Sequence, residues 1–237
     1  MKIEGRNAVS ELIATGANIE KIMMEKEPQG SLKAIFAEAR KRSIRVQFVD
    51  RKVLDRYSDD KRHQGVIAYA ADYEYCSVDD ILSRRGEDGG FIIICDGIED
   101  VHNLGSIIRV AECAGADGVI IPANNSASVT EAVVRISAGA ANHVRVAKVN
   151  SLNKTIDILK EAGFWLYALE ADGTDIYEAD LKGNIALVIG GEDSGVKRLT
   201  REKCDFTLSI PLKGKVNSLN ASVALGIAAY EAVRKRR

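Results

Sequence analysis

Phe91-Ile92-Ile93-Ile94-Cys95 is an apolar run without polar alternation, short enough to be a single strand and followed at once by Asp96. A strand of that kind needs cover on both faces, which places it inside a parallel sheet flanked by helices. Further strand candidates lie at Gly118–Ile121, His143–Val149, Trp165–Leu169, Ala186–Ile189 and Phe206–Ile210. Helical patterns fall between them at Leu104–Ala114, Val129–Ser137, Leu152–Ala162, Val196–Lys203 and Asn220–Val233. Such alternation predicts an α/β fold with a mostly parallel sheet. The last helix is apolar nearly all round as far as Glu231, so it must be buried within the fold or against another subunit.

A smaller α/β unit precedes this one. Its expected elements are helices at Arg6–Ile13, Leu32–Arg42 and Val53–Tyr57, and strands at Lys21–Met24, Arg45–Val49 and Gly65–Ala71. The chain then turns polar, with a short helical pattern at Val78–Leu82 and a charged, glycine-bearing stretch at Arg84–Gly90. The expected division is a first domain over residues 1–72, a linker over 73–89, and a second domain over 90–237.

Composition removes several function classes. With 46% hydrophobic and 28% charged residues the chain has an ordinary globular balance. It holds no run near the roughly 20 apolar residues that span a bilayer, and its first residues lack a signal-peptide core, so no membrane and a cytoplasmic location are expected. Cys76, Cys95, Cys113 and Cys204 lie far apart with no metal-ligand spacing, so neither disulfides nor a metal are expected. A net charge of −1 argues against indiscriminate coating of nucleic acid. Basic residues gather between Arg40 and Arg62 and again at Arg234–Arg237, but Glu38, Asp50, Asp55, Asp59 and Asp60 dilute the first group into an ordinary solvated face.

Three segments carry chemistry. Asp96–Arg109 (DGIEDVHNLGSIIR) leaves a strand, turns, and enters a helix near Asn103, a favoured N-cap residue type. Arg109 then falls among apolar neighbours and needs either solvent or an anion, with Glu112 and Glu131 available for a plain ion pair. Leu187–Gly195 (LVIGGEDSG) is a strand and a tight turn whose glycines permit close approach to a ligand. No Gly-Lys-Ser/Thr follows, so it is not a P-loop, and Glu192 can simply sit near a helix N-terminus. Ile210–Ala224 runs from a strand edge through a polar turn into the last helix, where Asn220 can serve as an N-cap. Turns at the carboxyl edge of a sheet are where α/β folds bind ligands. A dinucleotide enzyme would need GxGxxG after the first strand, which Asp96–Gly105 does not provide.

Together and in this order, the three segments resemble the motifs of the SpoU, or TrmH-type, class of SPOUT RNA 2′-O-ribose methyltransferases. The resemblance implies a parallel sheet tied in a deep trefoil knot, preceded by a small L30e-like RNA-binding domain, to which His63-Gln64-Gly65-Val66 is similar. It implies a homodimer with S-adenosylmethionine as methyl donor and no metal. Carried over residue by residue, the catalytic set is Asn103, Arg109, Glu192, Ser218 and Asn220, and the cofactor-binding set is Gly190, Gly191, Ile210 and Leu219. Arg135–Ala140 also resembles a segment near the family's active site. The chain departs from the pattern at Val101, where proline is common, and at Asp193, where glycine is common.

Arginine stays protonated in proteins. Arg109 is therefore expected to bind the target nucleotide's phosphate and stabilise a forming alkoxide, with Ser218, Asn103 or the phosphate aiding proton departure. His102 and His143 match no catalytic position and are expected to be structural. The two-domain layout and the His63–Val66 segment favour a guanosine of large-subunit ribosomal RNA. The alternatives are a transfer-RNA ribose methyltransferase and a non-catalytic RNA-binding assembly factor with the same fold.

Overall fold

A computed structural model describes residues 2–14, 19–58, 61–71, 73–86, 88–192 and 194–236. The chain forms two compact units, Met1–Tyr73 and Glu74–Arg237.

The first unit runs β1 (Lys2–Glu4), α1 (Arg6–Ala14), β2 (Ile19–Glu25), α2 (Ser31–Lys41), β3 (Val46–Val49), α3 (Arg51–Tyr57) and β4 (Val66–Ala70). The strands form one sheet in the order β1-β4-β2-β3, with β2 parallel to β3 and antiparallel to β4. Alternation along β2 sends Ile22 and Met24 to a core with Val9, Leu12, Leu32 and Ile35, and sends Met23 to the opposite face with Leu54 and Ile67. His63 is fully buried just before β4. Its Nδ1 accepts from the backbone N–H of Gly65, which leaves Nε2 to donate to Asp55 at 3.0 Å. That bond holds the Asp55 carboxyl below its ordinary value. His63 thus shapes the turn into β4.

The second unit continues with α4 (Val78–Leu82), β5 (Phe91–Asp96), α5 (Val101–Cys113), β6 (Gly118–Pro122), α6 (Glu131–Ile136), β7 (Arg145–Val149), α7 (Leu152–Glu161), β8 (Trp165–Asp175), β9 (Ile185–Gly190), α8 (Arg198–Lys203), β10 (Phe206–Ser209) and α9 (Ala221–Lys235). Residues 74–89, expected to form a linker, group with this unit: α4 is closed by a Ser77–Asp80 capping box, and its Ile81 is fully buried against the sheet.

The sheet has six strands among the described residues, in the order β10-β8-β9-β5-β6-β7, and every pair is parallel. β5, central and apolar throughout, is buried at every position. Ile92 and Ile94 join Ile156 and Leu159 of α7 on one face. On the other, α9 packs on β9 and α5, burying Leu225, Ala228 and Ala229.

Two local features shape the carboxyl edge of this sheet. β9 enters between β5 and β8, so the loops leaving the carboxyl ends of these strands converge. β8 also runs longer than the expected Trp165–Leu169. Thr207 of β10 lies opposite Ala168, but Leu208 lies opposite Thr174, so residues 169–173 swing out of register.

Candidate active site

The converging loops enclose a cleft of ≈ 430 Å³, within the usual range for small-molecule sites. Gly190, Gly191, Glu192, Ile210, Ser218 and Leu219, all expected site residues, line it. Apolar cover comes from Ile189, Leu208 and Leu212, and polar groups from Asn217 and Glu170.

The glycines are required by backbone approach. A Cβ on Gly190 would overlap the carbonyl carbon of Gly195, and one on Gly191 would lie 2.7 Å from the carbonyl oxygen of Gly97. Gly191 and Gly195 form an antiparallel bridge that closes the turn, and Gly195 holds φ +60. Asp193, inside this turn, lies outside the described residues. Two carboxylates hold the far side of the turn through successive backbone N–H groups: Glu170 accepts from Val196 at 2.5 Å, and the buried Asp96 accepts from Lys197 at 2.9 Å. Neither stands out in the sequence, where each is the polar residue that ends an apolar strand.

At the lip of the cleft three expected residues meet. Asn220 caps α9: its Oδ1 accepts from the N–H groups of Ser222 and Val223 at 3.0 and 3.3 Å. Its Nδ2 donates to Asn103 Oδ1 at 2.8 Å and to Glu192 Oε1 at 2.6 Å. Both amide hydrogens of Asn220 are therefore spent on tying α5, the glycine turn and α9 to one point.

Asn103 does not cap its own helix, as the sequence suggested. Asp100 does, accepting from the N–H of His102 at 2.7 Å. The helix begins one short turn earlier, which frees the buried Asn103 side chain to face Asn220. This puts Val101 at the first helical position, where proline is well tolerated, so the departure from the family pattern removes no interaction. Gly105 is needed for packing, because a Cβ there would lie 2.6 Å from Ile136 Cγ2. Ser137 is buried and bonds within its own turn, to the Val134 carbonyl and the Ala141 N–H.

Arg109 stands apart. It is exposed on α5, does not line the cleft, and makes neither the ion pair with Glu112 nor any other hydrogen bond or ion pair among the described residues. His102 and His143 are also exposed and outside the cleft. On the neighbouring α9, Val223 and Tyr230 are 51% and 54% exposed, and the Tyr230 hydroxyl reaches the carbonyl of Cys113, one turn beyond Arg109 on α5. Among the described residues, no group of His, Cys, Asp and Glu could hold a metal ion, and no helix is long and apolar enough to cross a membrane.

Comparison with known proteins bears on this geometry. The family model described as SpoU rRNA methylase matches residues 90–230, and the one described as RNA 2′-O ribose methyltransferase substrate binding matches residues 2–76. A TrmH family tRNA/rRNA methyltransferase of Staphylococcus saprophyticus is 43% identical over 238 residues, covering 99% of this chain and 95% of that protein. The crystal structure of an AdoMet-bound rRNA methyltransferase from Sinorhizobium meliloti superposes with a TM-score of 0.67 at 25% identity, covering 98% of this chain and 86% of that one. A TrmH/SpoU tRNA modifying enzyme of A. aeolicus is 28% identical with a TM-score of 0.57, and matches only 66% of this chain against 79% of its own.

Proposed function

This chain belongs to the SpoU rRNA methylase family of RNA 2′-O-ribose methyltransferases, and we propose that it methylates a guanosine ribose of large-subunit ribosomal RNA, with S-adenosylmethionine as donor. The observation that carries the chemical reading is the Asn103–Asn220–Glu192 junction at the lip of a cleft of cofactor size. The ribosomal assignment is supported by coverage: the rRNA methyltransferase matches nearly the whole chain, whereas the tRNA enzyme matches two thirds of it.

The cleft suits a nucleoside with a charged, flexible tail. Its glycine turn offers backbone close to the ligand, Leu208, Ile210 and Leu219 offer an apolar wall, and Glu170 offers a carboxylate. The bound donor supplies a methyl group on a sulfonium, ready for in-line displacement. The chain's own residues orient the ribose hydroxyl, exclude water and stabilise developing charge.

Asn220, with both amide hydrogens spent, is a positioning residue, and Asn103 Oδ1 is already engaged as an acceptor. Ser218 is exposed at the cleft without a hydrogen bond among the described residues, so its hydroxyl is placed to accept the ribose proton while handing its own to the target phosphate or to solvent. Arg109, a permanent cation, binds the target phosphate and steadies the alkoxide. Because Arg109 lies outside its own cleft, on a helix packed against α9 with its exposed Val223 and Tyr230, it serves the cleft of a second copy in a homodimer joined through α5 and α9.

The trefoil knot belongs to the same proposal. β10 lies at the sheet edge beside β8, yet α9 returns to β9 and α5, so residues 210–220 must carry the chain back past the glycine turn.

Incubation with methyl-labelled S-adenosylmethionine and unmodified large-subunit ribosomal RNA or transfer RNA, followed by nucleoside analysis, tests the reading. Label is expected in 2′-O-methylguanosine of the ribosomal RNA. Label in transfer RNA alone would move the substrate, and none in either would leave the assembly-factor reading.

A further inference from the structure

The cleft contains a carboxylate that the proposed chemistry does not use. Glu170 follows Leu169 where β8 loses register with β10, and Gly173 presses on the β10 backbone, a Cβ there lying 2.5 Å from the Thr207 carbonyl oxygen. This excursion carries the half-buried Glu170 into the cleft wall. Its Oε1 is anchored by the Val196 N–H. Its Oε2 accepts no hydrogen bond among the described residues, and the nearby cation Arg201 is engaged by Asp172 at 2.9 Å. Gly195 leaves the carboxylate open, since a Cβ there would lie 2.7 and 2.9 Å from its two oxygens. One oxygen is fixed and the other is free in a cleft, an arrangement suited to accept from a hydroxyl donor.

Strand order decides which part of a ligand it meets. Across the sheet the sequence is β8-β9-β5. The junction of Asn103 and Glu192, where the methyl must move, is built from the ends of β5 and β9, whereas Glu170 stands at the end of β8. A donor whose sulfonium met that junction would extend its nucleoside across β9 toward Glu170. We infer that Glu170 accepts hydrogen bonds from the ribose hydroxyls of the methyl donor's nucleoside, the task an acidic residue performs for dinucleotides in other α/β folds. This rests on the cleft taking S-adenosylmethionine, as proposed above.

Calorimetry on the full chain with S-adenosylhomocysteine and its counterparts lacking the 2′- or 3′-hydroxyl tests it. The wild type is expected to bind the ribose form about tenfold more tightly than at least one deoxy form, the loss typical of one charge-assisted bond. Glu170→Gln keeps an oxygen for the Val196 N–H, and is expected to weaken only the ribose form, narrowing the ratio to below about threefold. Equal binding by the wild type, an unchanged ratio in the variant, or equal weakening of all forms would overturn the assignment while leaving the cofactor reading intact. No binding of any form by the wild type would overturn both.

Discussion

Helix α5 presents two of the proposed site residues in opposite conditions. Asn103 is buried and bonded to Asn220, which in turn bonds Glu192. Arg109, further along the same helix, is exposed and without a partner among the described residues. The first belongs to a closed junction, in which three segments far apart in sequence are tied together by the protein's own hydrogen bonds. The second makes no side-chain hydrogen bond or ion pair within its own chain among the described residues. The contrast separates what the fold builds for itself, a closed junction beside the cleft, from what the proposed function assigns to substrate and a second copy.

The largest expected effect breaks the prebuilt side. Gly190→Ala forces a Cβ into the Gly195 backbone, which cannot yield as a side chain could. Destabilisation of about 3 kcal/mol is expected, at the upper end for overpacking, with loss of donor binding, by thermal melts and calorimetry. Arg109→Lys probes the other side: methyl transfer should fall by about thirtyfold with an unchanged melting temperature, because a point charge does not reproduce the planar fork. A matching fall in melting temperature would show that Arg109 is structural after all.

Asn220→Ala should cost about 1 kcal/mol of stability through the lost cap, and lower transfer further by releasing Glu192. Asn220→Asp keeps the cap acceptor but sets a carboxylate against Glu192. Its stability deficit should therefore be largest where both carboxylates are ionised and shrink toward acid pH, as melts across pH would record. The smallest effect is chemical. Burial pushes the Cys95 and Cys204 thiols up to about 12, so neither should alkylate in the folded protein near neutral pH. Cys113 is exposed beside Tyr230. Its alkylation, followed by peptide mass, should speed up on dilution if α5 and α9 form the subunit contact, and stay constant if they do not.

Much of the frame was legible. Strand and helix alternate as the apolar runs predicted, because central strands buried on both faces leave an unbroken signature. β1 was missed: Lys2–Glu4 is short and half-buried, and only its pairing with β4 makes it a strand. The cap of α5 was misplaced because Asp100 and Asn103 are both good cap types, and what selects Asp100 is Asn220, 117 residues away from Asn103. Glu170 was invisible for a related reason. It looks like the polar end of a strand, and only the register jump against β10 turns it into the cleft.

The most direct test pairs two readings on Arg109→Ala: calorimetric affinity for S-adenosylmethionine, and methyl transfer to unmodified ribosomal RNA. Affinity is expected within about twofold of wild type and transfer reduced by about a hundredfold or more, the scale seen when a group stabilising the transition state is removed. Transfer that survives the substitution, or affinity lost along with it, would contradict the division between a self-contained cleft and an arginine that acts only when substrate is engaged.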